Sequence, residues 1–366
     1  MRSFDGTHRP AGADNHRRAT IADVAREAGV ATSTASVVFS GKARVAASTR
    51  ERVLAAAAEL GYAGPDPRAA SLRRGRSGIV AVVLEGHLRA AFLDPVTTAM
   101  MDGLTDGLAE LSAGILLMRD EPGEGDGSAL SNAPVDAVVL IGCSGRTRSS
   151  LEVVRGRGLP VVVIEGDAGE GIPRITLDNT TAAADVARHV RDLGHQDVTL
   201  VTLPLDSARE RGPVTADRIT TATVDVTIHR LAGVREVYPD APAYSAGGSL
   251  IDEGVIVGRM LLADAATRPT AVIAQSDLLA AGVIRAAEEL GLRVPEDLSV
   301  AGFDGIAVDG LGEHTLTTSV QPAVEKGRAA GEQVARMLRG EPGVTQHLTC
   351  RFQAGTTTAA PPAAVR

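Results

Sequence analysis

TIADVAREAGVATSTASVVFSGKARVAASTRERVLAAAAELGY, residues 20–62, is the stretch on which the reading of the whole chain turns. Thr20 followed by Asp23 reads as a capping box, and Ile21, Val24, Ala25 and Ala28 recur behind it at helical spacing. Gly29 ends that helix, because glycine takes a left-handed cap freely. A second short helix is predicted from Thr32 to Phe39, closed by Ser40 and Gly41. Ser48-Thr49-Arg50-Glu51 spells an S-x-x-E box at the start of a third helix, whose Val53, Ala57 and Leu60 share a face before Gly61. Two short helices across a glycine turn, braced by a third, make a helix-turn-helix.

The second helix presents Thr32, Ser33, Thr34 and Ser36, which are small and polar. Short side chains let a helix sink into a major groove, and hydroxyls reach base edges and phosphates. The plain alternative is a three-helix bundle whose middle helix merely faces water. The flanking charge favours the first reading. Residues 1–78 carry 13 Lys+Arg against 7 Asp+Glu, whereas the remainder carries 24 against 38, which together give the net charge of −8. A basic head on an acidic body suits a chain that sets only its head on DNA.

Beyond residue 78 the pattern changes. Ile79–Leu84 is a continuous apolar run, as in a strand buried on both faces of a parallel sheet. Comparable runs recur at 115–118, 137–141, 161–164, 198–203, 271–274 and 298–302. Helical patterns lie between them at 96–111, 180–193, 254–262 and 278–290. Strand alternating with helix predicts doubly wound α/β layers. Residues 120–134 read as a Gly/Pro-rich surface loop, and 204–225 as a polar, weakly patterned insertion.

With 44% apolar and 22% charged residues the chain reads as globular. No apolar run reaches membrane-spanning length, and residues 1–18 lack a signal-peptide core, which points to the cytoplasm. Cys143 and Cys350 form no framework and are read as reduced thiols. G-x-G-x-x-G, Walker, H-E-x-x-H, C-x-x-C and G-x-S-x-G motifs are all missing, so the sequence offers no catalytic site, metal or cofactor. His195 reads as a packing residue at a helix end. Ligands in open α/β sheets sit beyond the carboxyl ends of strands, where Asp277 and Asp304 fall. Few aromatic platforms exist; Phe92, Tyr244 and Phe303 are the candidates.

The succession T-I-x-D-V-A-x-x-A-G-V, S-T-x-S and T-R-E-R-V-x-x-A-A-x-E-L-G-Y resembles the head of the lactose-repressor (LacI/GalR) family of bacterial transcription regulators. The resemblance returns at 134–140, 177–179, 188–195, 268–282 and 291–304, and covers most of the chain. It implies an all-α helix-turn-helix head on a two-lobed α/β body like a periplasmic sugar-binding protein. The implied division is a disordered arm at 1–18, a DNA-binding domain at 19–62, a hinge helix or linker at 63–77, and an effector-binding and dimerisation body at 78–366. By the same match Thr32, Ser33 and Val37 face bases, while Thr34, Ser36, Thr49 and Arg50 meet phosphates. Val37 stands where the family usually carries arginine, and Ala31 replaces the usual N-cap serine.

Leu72, with Arg73 beside it, matches the hinge leucine that wedges into the minor groove. One extra residue separates it from Tyr62. Arg230, in R-L-A-G, and Asp304, in G-F-D, match the pair that clasps a small polar effector; Asp277 and Phe92 complete the expected effector set. Residues 354–366 lack leucine heptads, so the expected assembly is a homodimer on pseudo-palindromic operator DNA, acting as a ligand-controlled repressor. A stand-alone solute-binding protein and an α/β enzyme with a nucleic-acid tether are the rival readings. The missing signal peptide and the missing catalytic motifs weigh against them.

Overall fold

The computed structural model describes residues 19–41, 43–64, 75–84, 88–119, 129–142, 145–166, 168–309 and 311–362. The arm 1–18, the hinge residues Leu72 and Arg73, and Cys143 lie outside them. Contacts divide the chain into two units, Met1–Ser77 and Gly78–Arg366.

The first unit is three helices: α1 (Ile21–Glu27), α2 (Thr32–Ser40) and α3 (Ala47–Glu59). Both arms of the capping box are made, with Asp23 N–H donating to Thr20 Oγ1 and Thr20 N–H to Asp23 Oδ2. Gly29 turns left-handed at φ 64°, and the Val30 N–H reaches back to Ala25 O at 2.9 Å. Val24, Ala25, Ala35, Val38, Val53 and Ala57 make the core, with Phe39 edge-on to Tyr62 at 5.3 Å between ring centroids.

Two expectations for α3 are corrected. The helix caps at Ala46 without a side-chain bond, so Ser48 lies inside the first turn instead of capping it. Val45, two residues before the helix, packs on the core. Leu60 is 37% exposed, and Ala56 takes its place on the buried face.

The second unit folds as two α/β lobes. Lobe one holds a six-stranded, all-parallel sheet in the order β12-β5-β4-β3-β1-β2. Its strands are β1 (Ile79–Leu84), β2 (Gly114–Arg119), β3 (Ala137–Ile141), β4 (Val161–Ile164), β5 (Arg174–Leu177) and β12 (Gln346–Leu348). Lobe two holds β10-β9-β6-β8-β7: β6 (Val198–Thr202), β7 (Gly212–Pro213), β8 (Ala243–Ser245), β9 (Ala271–Ala274) and β10 (Ser299–Ala301). β7 alone runs antiparallel in that sheet. A two-stranded ribbon, β11 (Thr318–Val320) against β13 (Arg351–Gln353), lies where the chain crosses between lobes. The chain makes that passage three times, near 178, 304–322 and 349.

The strands whose cores are apolar appear where continuous apolar runs predict them, because both faces are covered by helices. Within 204–225, read as unpatterned, the structure has β7 and the short helix Ala216–Thr220. His195 is buried beyond the helix Asn179–Asp192. Its ring pairs with Thr270 Oγ1, Ser299 Oγ and Ala359 O at 2.9, 3.0 and 2.8 Å, and burial pulls its pKa down.

Close backbone approach sets the helix packing of lobe one. The helices Pro95–Leu108 and Ala323–Leu338 cross at Gly103 and Gly327, where a Cβ on Gly327 would lie 1.8 Å from Met100 O. Rigid backbone stands in the way, not a movable side chain. Gly327→Ala should therefore destabilise the body by about 1–3 kcal/mol or more through overpacking, read as a lower urea midpoint at unchanged slope. An unchanged midpoint would contradict the close crossing.

Candidate functional site

In the head, α2 carries Thr32, Ser33 and Ser36 exposed, with Thr34 and Val37 half-buried. Ala35 and Val38 turn inward to the core, so the hydroxyl-bearing face is left to solvent by simple helical periodicity. Ala31 is the N-cap and bonds nothing through its side chain; Thr32 is the first helical residue. Arg50 is exposed and Thr49 half-buried in the first turn of α3.

In the body a cavity of ≈ 210 Å³ lies between the lobes, with Asp94, Thr97, Ile141, Ile164, Glu165 and Lys326 on one side. Leu203, Val224, Arg230, Ser249, Ser276 and Asp304 line the other, and Gln321 comes from the crossing. A hollow of ≈ 230 Å³ continues it past Asp94 and Thr97 to Arg209 and 247–250. Another of ≈ 240 Å³ continues it past Glu165 to Arg174, His229 and His347. A larger hollow of ≈ 550 Å³ sits at the amino ends of β6, β8 and β9, the edge of a parallel sheet that ligands do not use.

Arg230 is 3% exposed, on the helix Asp225–Val237. Its Nη1 donates to Gln275 O at 2.6 Å and lies 3.3 Å from Asp304 Oδ1. Its Nε donates to Asn179 Oδ1 at 2.9 Å, and the guanidinium carbon sits 3.6 Å above the Phe303 ring centroid. Asp304 Oδ1 also accepts from Gln321 Nε2 at 2.7 Å. Burial pushes the Asp304 carboxyl up to about 8; Arg230 opposes the rise, and the Asp277 and Asp94 carboxylates add to it.

Glu165 follows β4 and is the counterpart of Asp304 in lobe one. Lys326 Nζ lies 3.3 Å from its Oε2, and Asn179 Nδ2 donates to its Oε1 at 3.0 Å. Lys326 Nζ also donates to Gln321 Oε1 at 2.6 Å. Burial is the strongest single influence and raises the Glu165 carboxyl, but Lys326, Arg230 and the hydrogen bonds from Asn179 and Lys326 together outweigh it and the net is a lowered pKa. Asp94 caps the helix Pro95–Leu108 through Val96 N–H and Thr97 Oγ1, and burial raises its pKa.

Two of the three cleft carboxylates sit on left-handed backbone, Glu165 at φ 55° and Asp304 at φ 129°. Such non-glycine conformations cost about 1–3 kcal/mol each and persist where the surroundings over-determine them. At Asp304 the main chain is pinned by its N–H to Ser319 O and by Gln321 N–H to its own carbonyl, at 2.8 and 3.0 Å.

Of the four residues expected to hold effector, the cavity brings together Arg230 and Asp304. Asp277 is corrected: it is fully buried, and its carboxylate is taken up by Gly305 and Ile306 N–H at 2.7 and 2.9 Å and by Thr318 Oγ1 at 2.6 Å. It fixes the loop that carries Asp304, while its neighbour Ser276 lines the cavity. Phe92 is corrected too, being 61% exposed on the helix Leu88–Leu93 and outside the cavity lining. Glu165, Lys326, Asn179, Gln321 and Asp94 were not singled out from the sequence.

Residues 20–64 match the model of bacterial regulatory proteins of the lacI family, and 187–358 match a periplasmic binding protein-like domain. The HTH-type transcriptional regulator Rv3575c of Mycobacterium tuberculosis is 35% identical over 358 residues, covering 95% of this chain and 98% of its own length. The chain belongs to the lacI family of bacterial regulatory proteins. The HTH-type transcriptional regulator IpsA of Corynebacterium glutamicum is 32% identical over 354 residues, 93% of this chain and 97% of the relative. The crystal structure of the lac repressor dimer bound to operator and the anti-inducer ONPF shares the fold. Its TM-score is 0.75 at 23% identity, over 94% of this chain and all of that one. This lacI-family chain is a DNA-binding transcriptional regulator, not an enzyme. Among its described residues no helix is long and apolar enough to cross a membrane.

Proposed function

We propose that this regulator works in the cytoplasm as a homodimeric repressor, reading a pseudo-palindromic operator with two heads and releasing or holding it under control of a small molecule in the interlobe cavity. The observation that carries the ligand half is the buried Arg230–Asp304 pair opening on a ≈ 210 Å³ cavity lined from both lobes. Burying an ion pair is weak for stability, so its position in a ligand-sized cavity supports recognition. The lac repressor, which shares the fold, was solved as a dimer on operator with a small molecule bound.

The lining favours an uncharged ligand rich in hydroxyls. Both cations among its described lining residues, Arg230 and Lys326, are already held by protein acceptors, so an incoming phosphate or carboxylate would have to compete with those carboxylate, amide and carbonyl oxygens. Aliphatic Ile141, Ile164, Leu203 and Val224 supply the apolar wall, and none of the described lining residues is aromatic.

For the DNA half, Thr32, Ser33 and Val37 are assigned to base edges, Thr34, Ser36, Thr49 and Arg50 to phosphates, and Leu72 with Arg73 to the minor groove. Selection of bound duplexes from a random pool by the full chain tests this. A two-fold symmetric consensus is expected, and enrichment of no sequence over bulk DNA at moderate salt would remove the reading. In the same assay Val37→Arg should shift the preferred base pair facing that turn to G·C, since an arginine fork on guanine is worth about 1–3 kcal/mol of discrimination. An unchanged consensus would take Val37 off the base-reading face.

A further inference from the structure

Six cleft side chains bond to one another in a closed ring. Lys326 donates to Gln321, Gln321 to Asp304, Arg230 to Asp304 and to Asn179, Asn179 to Glu165, and Lys326 lies on Glu165 again. Glu165 and Lys326 belong to lobe one. Arg230 and Asn179 sit on helices packed in lobe two, and Asp304 follows β10 of the same lobe. Gln321 follows β11 directly, on the crossing.

Two links alone join the lobe-one pair to the rest, and each is made by an amide. Their orientation is forced by chemistry. Arginine and lysine only donate, so each amide oxygen faces a cation, and each amide NH₂ faces a carboxylate. Asn179 thereby ties Arg230 of lobe two to Glu165 of lobe one; Gln321 ties Lys326 of lobe one to Asp304 of lobe two.

We propose that this ring is an interlobe clasp, and that Lys326 is the residue through which an effector acts on it. The inference rests on the reading that a small molecule enters this cavity. Lys326 is 3% exposed, lines the cavity and holds lobe one to the crossing through Gln321. A ligand bearing neighbouring hydroxyls offers a donor and an acceptor side by side, as an amide does. It can replace one amide bridge and so reset the angle between the lobes without leaving a buried charge unpaired.

The test uses the full, ligand-free chain with Cys143→Ser and Cys350→Ser, and spin labels on Glu110→Cys of lobe one and Asp240→Cys of lobe two. Two variants break the clasp differently: Glu165→Gln with Lys326→Met removes the lobe-one pair without leaving a lone charge, and Gln321→Met removes one amide bridge. Interlobe distances should lengthen and broaden in either variant, whereas Arg259→Met, which removes a surface ion pair of lobe two, should leave them unchanged. Wild-type distances in both clasp variants would overturn the proposal. That result is separate from failure of the functional reading, which would show as loss of sequence-selective DNA binding by the wild-type chain itself.

Discussion

Replacing Arg230 by leucine is expected to lower stability by about 3–5 kcal/mol, the usual loss when one partner of a buried ion pair is removed. The change strips donors from Asn179 Oδ1, Gln275 O and Asp304 Oδ1 together, in a site where water cannot replace them freely. Asp304 relieves part of the loss by keeping its proton, since burial already pushes its carboxyl up to about 8. Without the opposing guanidinium that value rises further. A group with a raised folded pKa contributes most below its unfolded value and loses that contribution as pH rises through the folded one. The variant should accordingly be weaker at pH 9 than at pH 7 relative to wild type, in urea titrations at both. A loss below about 1 kcal/mol at either pH would show that Arg230 is not integrated as described. Effector binding should disappear in the same protein.

Lys326→Met should reverse the sign of a pH dependence. In the wild type Glu165 has a lowered pKa: burial acts upward, but the Lys326 and Arg230 charges, with the hydrogen bonds from Asn179 and Lys326, together act more strongly downward. Its contribution is present above the ordinary carboxylate value and fades as pH falls through the folded one. Removing the ammonium deletes the larger of those two counter-charges and leaves the burial. The Glu165 pKa then moves upward, and the contribution is lost as pH rises instead. Arg174, Asp225, His229 and His347 also face Glu165 across the adjoining hollow and set the background on which this change is read. Melting curves from pH 5 to 8 should show the single variant falling behind wild type as pH rises, while Glu165→Gln with Lys326→Met shows no such trend. Parallel curves for the single variant and wild type would contradict the pairing.

Much of the architecture was legible in the sequence, for a physical reason. Strands covered on both faces must be apolar throughout, so Ile79–Leu84 and Ala271–Ala274 declare themselves, and Gly29 and Gly41 mark turns that only a left-handed residue makes. Arg230 and Asp304 were reached by motif and by position beyond a strand. The same positional rule points to Glu165, since V-V-V-I-E ends β4 as V-A-G-F-D ends β10, yet an acidic residue in a loop draws no attention by itself. Lys326 was hidden for another reason. A-V-E-K-G-R-A-A-G-E reads as a charged, solvated helix, and only the small residues Gly327, Ala330 and Gly331 betray that this face is pressed against another backbone. Asp277 misled because a carboxylate past a strand also serves to gather loop N–H groups, and the choice between the two depends on which way the following turn folds.

The last described segment of the chain has a consequence for how the body avoids self-association. β10 is the outer strand of its sheet, but Thr357 O accepts from Val300 N–H at 2.8 Å, and Ser299 Oγ accepts from Ala359 N–H at 3.0 Å. Gly302 N–H is met by Thr317 O at 2.8 Å. Polar main-chain groups that would otherwise template strand addition from a neighbouring molecule are thus sealed from within. A chain proposed to pair with a single copy of itself thereby lacks, at this edge, a ready route to pairing with many.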